Sequence, residues 1–145
     1  MRRMLPVAAA AALVAVSSAF AAGGTPVKVE QTKALGKVIA NGTGHTLYLF
    51  RADKGTTSAC YGSCATYWPP LLTTGMPTAM TGAKASLLGT AKRKDGKLQV
   101  TYKGHPLYYF IQDKKSGDVN GQGIVHYGGA WWVVSAAGVK ITSKP

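Results

Sequence analysis

The sequence predicts an all-β fold, made of two tandem β-meander repeats of about four strands each, packed as a small sandwich or a pseudo-symmetric sheet. Short runs of strand-forming residues alternate with turn residues at regular spacing. One eleven-residue segment recurs sixty positions later in the 145-residue chain. The composition also favours β structure, with 18 glycines, 46% hydrophobic residues and Glu30 as the single glutamate. Only 15% of the residues are charged, which excludes a coiled coil and a charge-driven disordered chain.

The recurring segment spans residues 44–54 and 104–114, and seven of its eleven positions are identical. Chance rarely produces such a match, so the sequence predicts a tandem duplication. The expected boundaries are about 26–74 for repeat one and about 85–138 for repeat two, within a single duplicated β domain at 22–145.

Each repeat is predicted to contain four strands, and the fourth strand is expected to close its own repeat. The expected ranges are 27–35, 37–41, 46–51 and 68–73 in repeat one, and 87–94, 97–103, 106–112 and 130–135 in repeat two. Alternation along the third strand places Leu47 and Leu49 on one face and Tyr48 and Phe50 on the other. Both faces are apolar, so this strand should be covered on both sides. No amphipathic helix is expected after the leader.

The N-terminus predicts a secretory signal peptide over residues 1–21. Arg2 and Arg3 precede an apolar run that ends in small residues at Ala19-Phe20-Ala21. The run is shorter than the roughly 20 apolar residues that span a bilayer, and no later stretch approaches that length. We therefore expect a periplasmic or secreted protein, soluble after cleavage, with no transmembrane segment.

The charge balance points to anionic partners. The chain carries 17 Lys and Arg against 5 Asp and Glu, a formal net charge of +12. Nucleic acid is not expected for an exported protein, which leaves an unknown ligand and anionic envelope polymers as the candidate partners. The one basic cluster, Lys92 to Lys97, surrounds an Asp95-Gly96 hairpin turn, and we expect it to solvate the turn and protect an edge strand.

Three motifs carry a family resemblance. Residues 48–53 and 108–113 both fit Tyr-x-(Phe/Trp/Tyr)-x-x-Asp, and residues 60–71 fit Cys-x-Gly-x-Cys-Ala-x-x-Trp-Pro-Pro-Leu. With these motifs the chain resembles the bacterial secreted repeat proteins, also described as predicted lipoproteins. The resemblance implies export and a duplicated small domain, in a family that carries no established activity. The chain lacks the lipidated cysteine of the lipoprotein members.

The six motif residues admit a structural and a functional interpretation. In the first, the aromatic residues fill the core and the aspartates cap the departing loops as Asx turns. In the second, the two aspartates meet across a pseudo-two-fold axis as a cation site or an acid/base pair. The residues concerned are Tyr48, Phe50, Asp53, Tyr108, Phe110 and Asp113.

The two cysteines also leave two possibilities open. A disulfide between Cys60 and Cys64 suits an oxidising envelope and would stiffen the long loop after the first motif. Alternatively, the two thiolates could form a soft copper site together with a histidine or methionine. The candidate ligands are Cys60, Cys64, His45, His105, Met76 and Met80.

No catalytic residue is assigned, because the chain shows no nucleophile-elbow pattern and has few carboxylates for paired acid/base work. Exposed tyrosines in the long loops, at positions 61, 67 and 127, could stack on a sugar or another flat ligand. The sequence therefore favours a non-enzymatic ligand-binding or envelope-associated module. The alternative is a periplasmic redox or copper-handling protein that uses the Cys60/Cys64 loop.

Overall fold

A computed structural model describes residues 24–145, and these residues form a mostly β structure with short strands joined by turns and long loops. The predicted all-β class is confirmed. The expected signal peptide lies outside the described residues. Within 24–145, no helix is long and apolar enough to cross a membrane.

The strands alternate with turns along the whole described chain. In order, the elements are β1 (Pro26–Thr32), β2 (Gly36–Asn41), β3 (Tyr48–Phe50), α1 (Ser63–Tyr67), β4 (Leu72–Thr73), β5 (Thr78–Ala79), a 3-10 turn (Ala85–Leu87), β6 (Leu88–Lys92), β7 (Leu98–Tyr102), β8 (His105–Pro106), β9 (Val125–His126) and β10 (Gly129–Val133).

Several boundaries differ from the sequence prediction. β1 ends at Thr32 because its hydroxyl accepts the N–H of Leu35 at 3.1 Å and donates to the carbonyl of Gly36 at 2.8 Å, which closes a turn. The strand expected at 106–112 contracts to β8 and to two isolated bridges at Tyr108, one with Tyr48 and one with Pro70. The short helix α1 was not expected, and it begins within the cysteine loop.

The two repeats exchange their fourth strands. β10 of repeat two pairs antiparallel with β3 of repeat one, and β4 of repeat one pairs antiparallel with β7 of repeat two. The sequence prediction that each fourth strand closes its own repeat is therefore wrong. The long loops before these strands provide the chain length for the crossing, and the repeats cannot separate without breaking both pairings. The sheet orders are β2-β1-β5, β3-β10-β9 and β4-β7-β6, with β8 also paired to β7.

A pseudo-two-fold axis passes between the two motif tyrosines. The N–H of Tyr48 donates to the carbonyl of Tyr108 at 2.8 Å, and the N–H of Tyr108 donates to the carbonyl of Tyr48 at 3.0 Å. Because the two residues hold the same position in their repeats, this reciprocal pair relates one repeat to the other.

β3 separates two buried clusters. Leu47 and Leu49 pack in a largely aliphatic cluster, while Tyr48 and Phe50 pack in an aromatic cluster. The alternation of the strand predicted this arrangement, because successive side chains point to opposite faces. The aromatic cluster lies beside the two long loops, and residues of both loops pack in it or against it.

Candidate functional site

Four stacked rings form the centre of the aromatic cluster. Ring centroids lie 3.9 Å apart for Phe50 and Trp131, 4.0 Å for Trp131 and Trp68, and 4.2 Å for Trp68 and Phe110. Both tryptophans are fully buried. Residues of the two repeats alternate along the stack, so every stacking contact joins a residue of one repeat to a residue of the other. Such contacts add about 0.5–1.5 kcal/mol each beyond the burial of area.

The motif tyrosines and aspartates form two crossed pairs. Tyr48 Oη donates to Asp113 Oδ2 at 2.5 Å, and Tyr108 Oη donates to Asp53 Oδ2 at 2.8 Å. Each tyrosine therefore binds the aspartate of the other repeat. The motif holds the two repeats together as well as filling the core.

The second oxygen of each motif aspartate closes a loop. Asp53 Oδ1 accepts the N–H of Ala59 at 2.8 Å, and Asp113 Oδ1 accepts the N–H of Asn120 at 2.9 Å. These bonds span six and seven residues, so they cap the loops by a longer contact than the Asx turn expected from sequence. Each carboxylate thus has a protein donor at both oxygens.

Gly121 brings the second long loop against the aromatic stack. Its N–H donates to Tyr48 Oη at 3.1 Å, and a Cβ at this position would lie 2.9 Å from ring carbons of Trp68 and Tyr48. Only glycine allows this close approach. The Gly121-x-Gly123 pattern therefore has a packing role here.

Burial shifts the protonation equilibria of the crossed pairs. It raises the pKa of Asp53 to about 6, against the opposing effects of the Ala59 N–H, the Tyr108 hydroxyl and the charge of Arg93. Burial likewise raises the pKa of Asp113. The pKa values of Tyr48 and Tyr108 rise above their usual range through burial and the adjacent carboxylates, so both phenols remain donors.

Arg93 is a buried cation that the sequence prediction placed on a solvated turn. Its side chain is 6% exposed. The guanidinium donates to Ser58 Oγ at 3.1 Å, to Gln99 Oε1 at 2.7 Å and to the carbonyl of Cys60 at 2.6 Å. The expectation for the Lys92–Lys97 cluster is therefore wrong at this residue. The sequence did contain a signal for this burial. Arg93 lies between Lys92 and Lys94, and successive residues of an extended segment point to opposite faces, so Arg93 should point away from the two lysines.

Cys60 and Cys64 form a disulfide with their Cα atoms 5.3 Å apart. In this state neither sulfur is a thiolate able to bind copper. Met76 and Met80 are 61% and 46% exposed, and His45 contacts a threonine hydroxyl through Nδ1. Across residues 24–145, no group of three or more His, Cys, Asp or Glu side chains is arranged to hold a metal ion.

Three rings form an exposed patch that we call the aromatic surface, namely Tyr67, His126 and Tyr127. Ring centroids lie 5.6 Å apart for Tyr67 and His126, 4.0 Å for His126 and Tyr127, and 6.2 Å for the two tyrosines. Tyr67 is 44% exposed and Tyr127 is 36% exposed. Tyr61, the third tyrosine considered from sequence, instead lies under the Arg93 guanidinium at 4.3 Å.

The aromatic surface is fixed to the buried stack. His126 Nδ1 accepts the indole N–H of Trp68 at 3.3 Å, and the His126 carbonyl accepts the indole N–H of Trp131 at 3.0 Å. Tyr127 has a left-handed backbone, with φ of 58°. Such a conformation costs a non-glycine residue about 1–2 kcal/mol and is often retained at functional sites. Sequence reasoning missed His126, because nothing local showed that it would accept hydrogen bonds from both tryptophans.

Comparison with known proteins identifies the repeats. A family model described as a secreted repeat of unknown function matches residues 31–72 and, a second time, residues 89–135. The two matches coincide with the two predicted repeats and confirm the resemblance seen in the motifs. No curated protein and no solved structure matches the chain.

Proposed function

Because the chain belongs to this family of secreted repeats, matched in both of its units, we propose that it is a non-enzymatic binding module of the cell envelope. In this proposal, the aromatic surface of Tyr67, His126 and Tyr127 stacks on a sugar ring of an envelope polysaccharide. The observation that carries the proposal is the exposure of two tyrosine rings beside a histidine that the buried tryptophans hold in place.

Rigidity supports a binding role for these rings. A surface that is ordered before the ligand arrives loses little side-chain entropy on binding, so more of the contact energy appears as affinity. The hydrogen bonds from Trp68 and Trp131 supply that order for His126. The strained backbone of Tyr127 is a further cost of presenting its ring at this position.

The charge of the chain supports an anionic polymer as the ligand. Without Arg2 and Arg3 of the expected signal peptide, 15 Lys and Arg against 5 Asp and Glu leave a net charge of +10, so the exported protein attracts polyanions over distances of about 8 Å at physiological ionic strength. Stacking would then select among the polymers that charge brings close. This division of roles predicts that added salt weakens binding without abolishing the contribution of the tyrosines.

The engagement of the carboxylates supports a non-enzymatic role. Each motif aspartate accepts a tyrosine hydroxyl and a loop N–H, so both serve the fold. A general acid or base needs a position within hydrogen-bond reach of the substrate. We therefore assign no catalytic residue.

Co-sedimentation with purified peptidoglycan sacculi tests the proposal. Tyr67→Ala and Tyr127→Gly should each reduce the bound fraction several-fold, while Met76→Ala, which truncates another exposed side chain, should leave it unchanged. Tyr127→Gly is informative because glycine tolerates the left-handed backbone, so relief of that strain offsets part of the loss of ring contacts and the variant should still fold. Equal binding by all three variants and the parent would exclude the aromatic surface as the site.

Native and denatured mass spectra separate this proposal from the copper alternative. A denatured mass that is lower than the dithiol form by two hydrogens, with no added metal in the native spectrum, supports a structural disulfide. A thiol mass together with a copper-sized increment would make Cys60 and Cys64 metal ligands instead.

A further inference from the structure

Basic residues from three separate segments line one small open cavity, and Lys140 Nζ also lies 6.0 Å from the centroid of the Trp132 ring. Arg51 follows β3, Lys103 and His105 flank the β7–β8 turn, and Lys140 belongs to the C-terminal turn. The cavity has a volume of about 260 Å³, and the buried Leu49 is among its lining residues. Cavities that enclose drug-sized ligands are typically about 300–1,000 Å³, so this one suits a single small group.

The cavity lacks a balancing negative charge within the described part of the chain, because no Asp or Glu side chain of residues 24–145 lines it. The one ion pair recorded over residues 24–145 is Lys28–Glu30, so Arg51, Lys103 and Lys140 form none. Burial, followed by the charges of Arg51 and Lys103, lowers the pKa of His105. Mutual repulsion of this kind is relieved when an anion binds between the cations.

Lys103 is held in place by the backbone around it. It has a left-handed conformation, with φ of 48°, at a turn position where asparagine or glycine is typical. Its aliphatic chain lies against Gly138, where an added Cβ would come within 2.9 Å of Lys103 Cδ. Glycine at 138, itself at φ +80°, therefore makes room for the lysine.

The other repeat shows that the fold does not require these cations. Sixty positions away, Arg51 corresponds to Ile111 and Lys103 corresponds to Thr43, whereas His105 corresponds to His45. The two repeats otherwise share the motif strand and its reciprocal hydrogen bonds. The charges are therefore a property of this cavity and not of the duplicated framework.

We propose that the cavity binds a phosphoryl group through Arg51, Lys103, His105 and Lys140. A tetrahedral phosphoryl group presents oxygens in several directions, which suits donors arriving from three segments, and an arginine fork pairs with two of those oxygens. The group can belong to free phosphate or to a phospholipid headgroup. This site is separate from the aromatic surface, so either proposal can fail without the other.

Calorimetric titration with inorganic phosphate near physiological ionic strength tests the site. Arg51→Ile, which introduces the residue of the other repeat, and Lys140→Ala should each weaken binding on the order of tenfold. Lys84→Ala removes the same charge from an exposed lysine outside the cavity and should leave binding unchanged. In the parent protein, the imidazole resonances of His105 should shift as phosphate saturates the site. Tyr67→Ala should bind phosphate as the parent does.

Vesicles of phosphatidylcholine with and without phosphatidylglycerol distinguish the source of the phosphoryl group. Co-sedimentation that requires phosphatidylglycerol and is lost in Arg51→Ile supports a lipid headgroup, even if free phosphate does not bind. The proposal is overturned if Lys84→Ala loses as much binding as Arg51→Ile, or if the parent protein binds neither phosphate nor the vesicles. Arg51, Lys84 and Lys140 are exposed, so these substitutions should not prevent folding.

Discussion

Tyr48→Phe isolates one crossed tyrosine–aspartate bond without emptying the core. The substitution removes the hydroxyl that donates to Asp113 at 2.5 Å and accepts the Gly121 N–H at 3.1 Å. A hydrogen bond to a charged group is worth about 1.5–3 kcal/mol, and a buried donor left without a partner costs about 1–3 kcal/mol. Allowing for relaxation of the loop, we expect a loss of about 3 kcal/mol in the free energy of unfolding. For a domain of this size, that corresponds to a fall in Tm of about 10 °C.

Urea unfolding, followed by the fluorescence of the buried tryptophans, measures this loss. A double-mutant cycle with Asp113→Asn should give a coupling energy of about 1–3 kcal/mol, because the two side chains contact each other directly. Tyr67→Phe is the matched control, since it removes the hydroxyl of a partly exposed tyrosine and should change stability by less than about 0.5 kcal/mol.

The exchange of strands also predicts how cooperatively the two repeats unfold. Because Tyr48 of repeat one binds Asp113 of repeat two, and each fourth strand pairs across the repeats, the two repeats should unfold in one transition. A loss below about 1 kcal/mol, or a variant in which one repeat unfolds before the other, would refute the crossed-pair account.

Three further outcomes follow from the buried polar groups and the disulfide. The folded-state pKa of Asp53, about 6, exceeds its ordinary value of 3.8, so the folded state binds more protons between these values and stability should fall as pH rises from about 4 to about 6. Partial exposure reduces the effect to about 1–2 kcal/mol. Urea midpoints across this range measure it, and Asp53→Asn should make the fall shallower, leaving the contribution of Asp113, whose pKa burial also raises. Reduction of Cys60–Cys64 should cost roughly 2 kcal/mol through loop entropy, measured as a fall in the urea midpoint, with a Cys60→Ser, Cys64→Ser double variant insensitive to reductant. Arg93→Ala should cost about 3 kcal/mol, because it leaves Gln99 Oε1 and the carbonyl of Cys60 buried without their donor, whereas Ser58 Oγ keeps the N–H of Cys60; an unchanged Tm would contradict that role.

Local patterns in the sequence predicted much of the architecture. The short strands and the apolar faces of the Tyr48 strand depend on spacing within a few residues, the repeat is visible as a direct match of two segments, and the structure contains all three. The sequence also indicated exposed tyrosines at positions 61, 67 and 127, and the structure exposes Tyr67 and Tyr127 but places Tyr61 under Arg93. Element ends were less accurate, since side-chain bonds such as those of Thr32 decide where a strand stops.

The amino-acid sequence is enough to predict two equivalent β units with tyrosine, phenylalanine and aspartate at fixed positions. It does not predict that the units exchange strands and cross their tyrosine–aspartate pairs, because these features depend on contacts between the repeats. The two repeats have almost the same local pattern, so pairing within a repeat and pairing between repeats satisfy that pattern equally. Pairing between the repeats is favoured because both repeats contribute rings to one aromatic stack and because the long loops are long enough to reach across. The burial of Arg93 also depends on contacts between distant segments. Arginine is mostly exposed in proteins, so a sequence predicts an exposed side chain, and only the fold places the acceptors of Arg93 around its guanidinium.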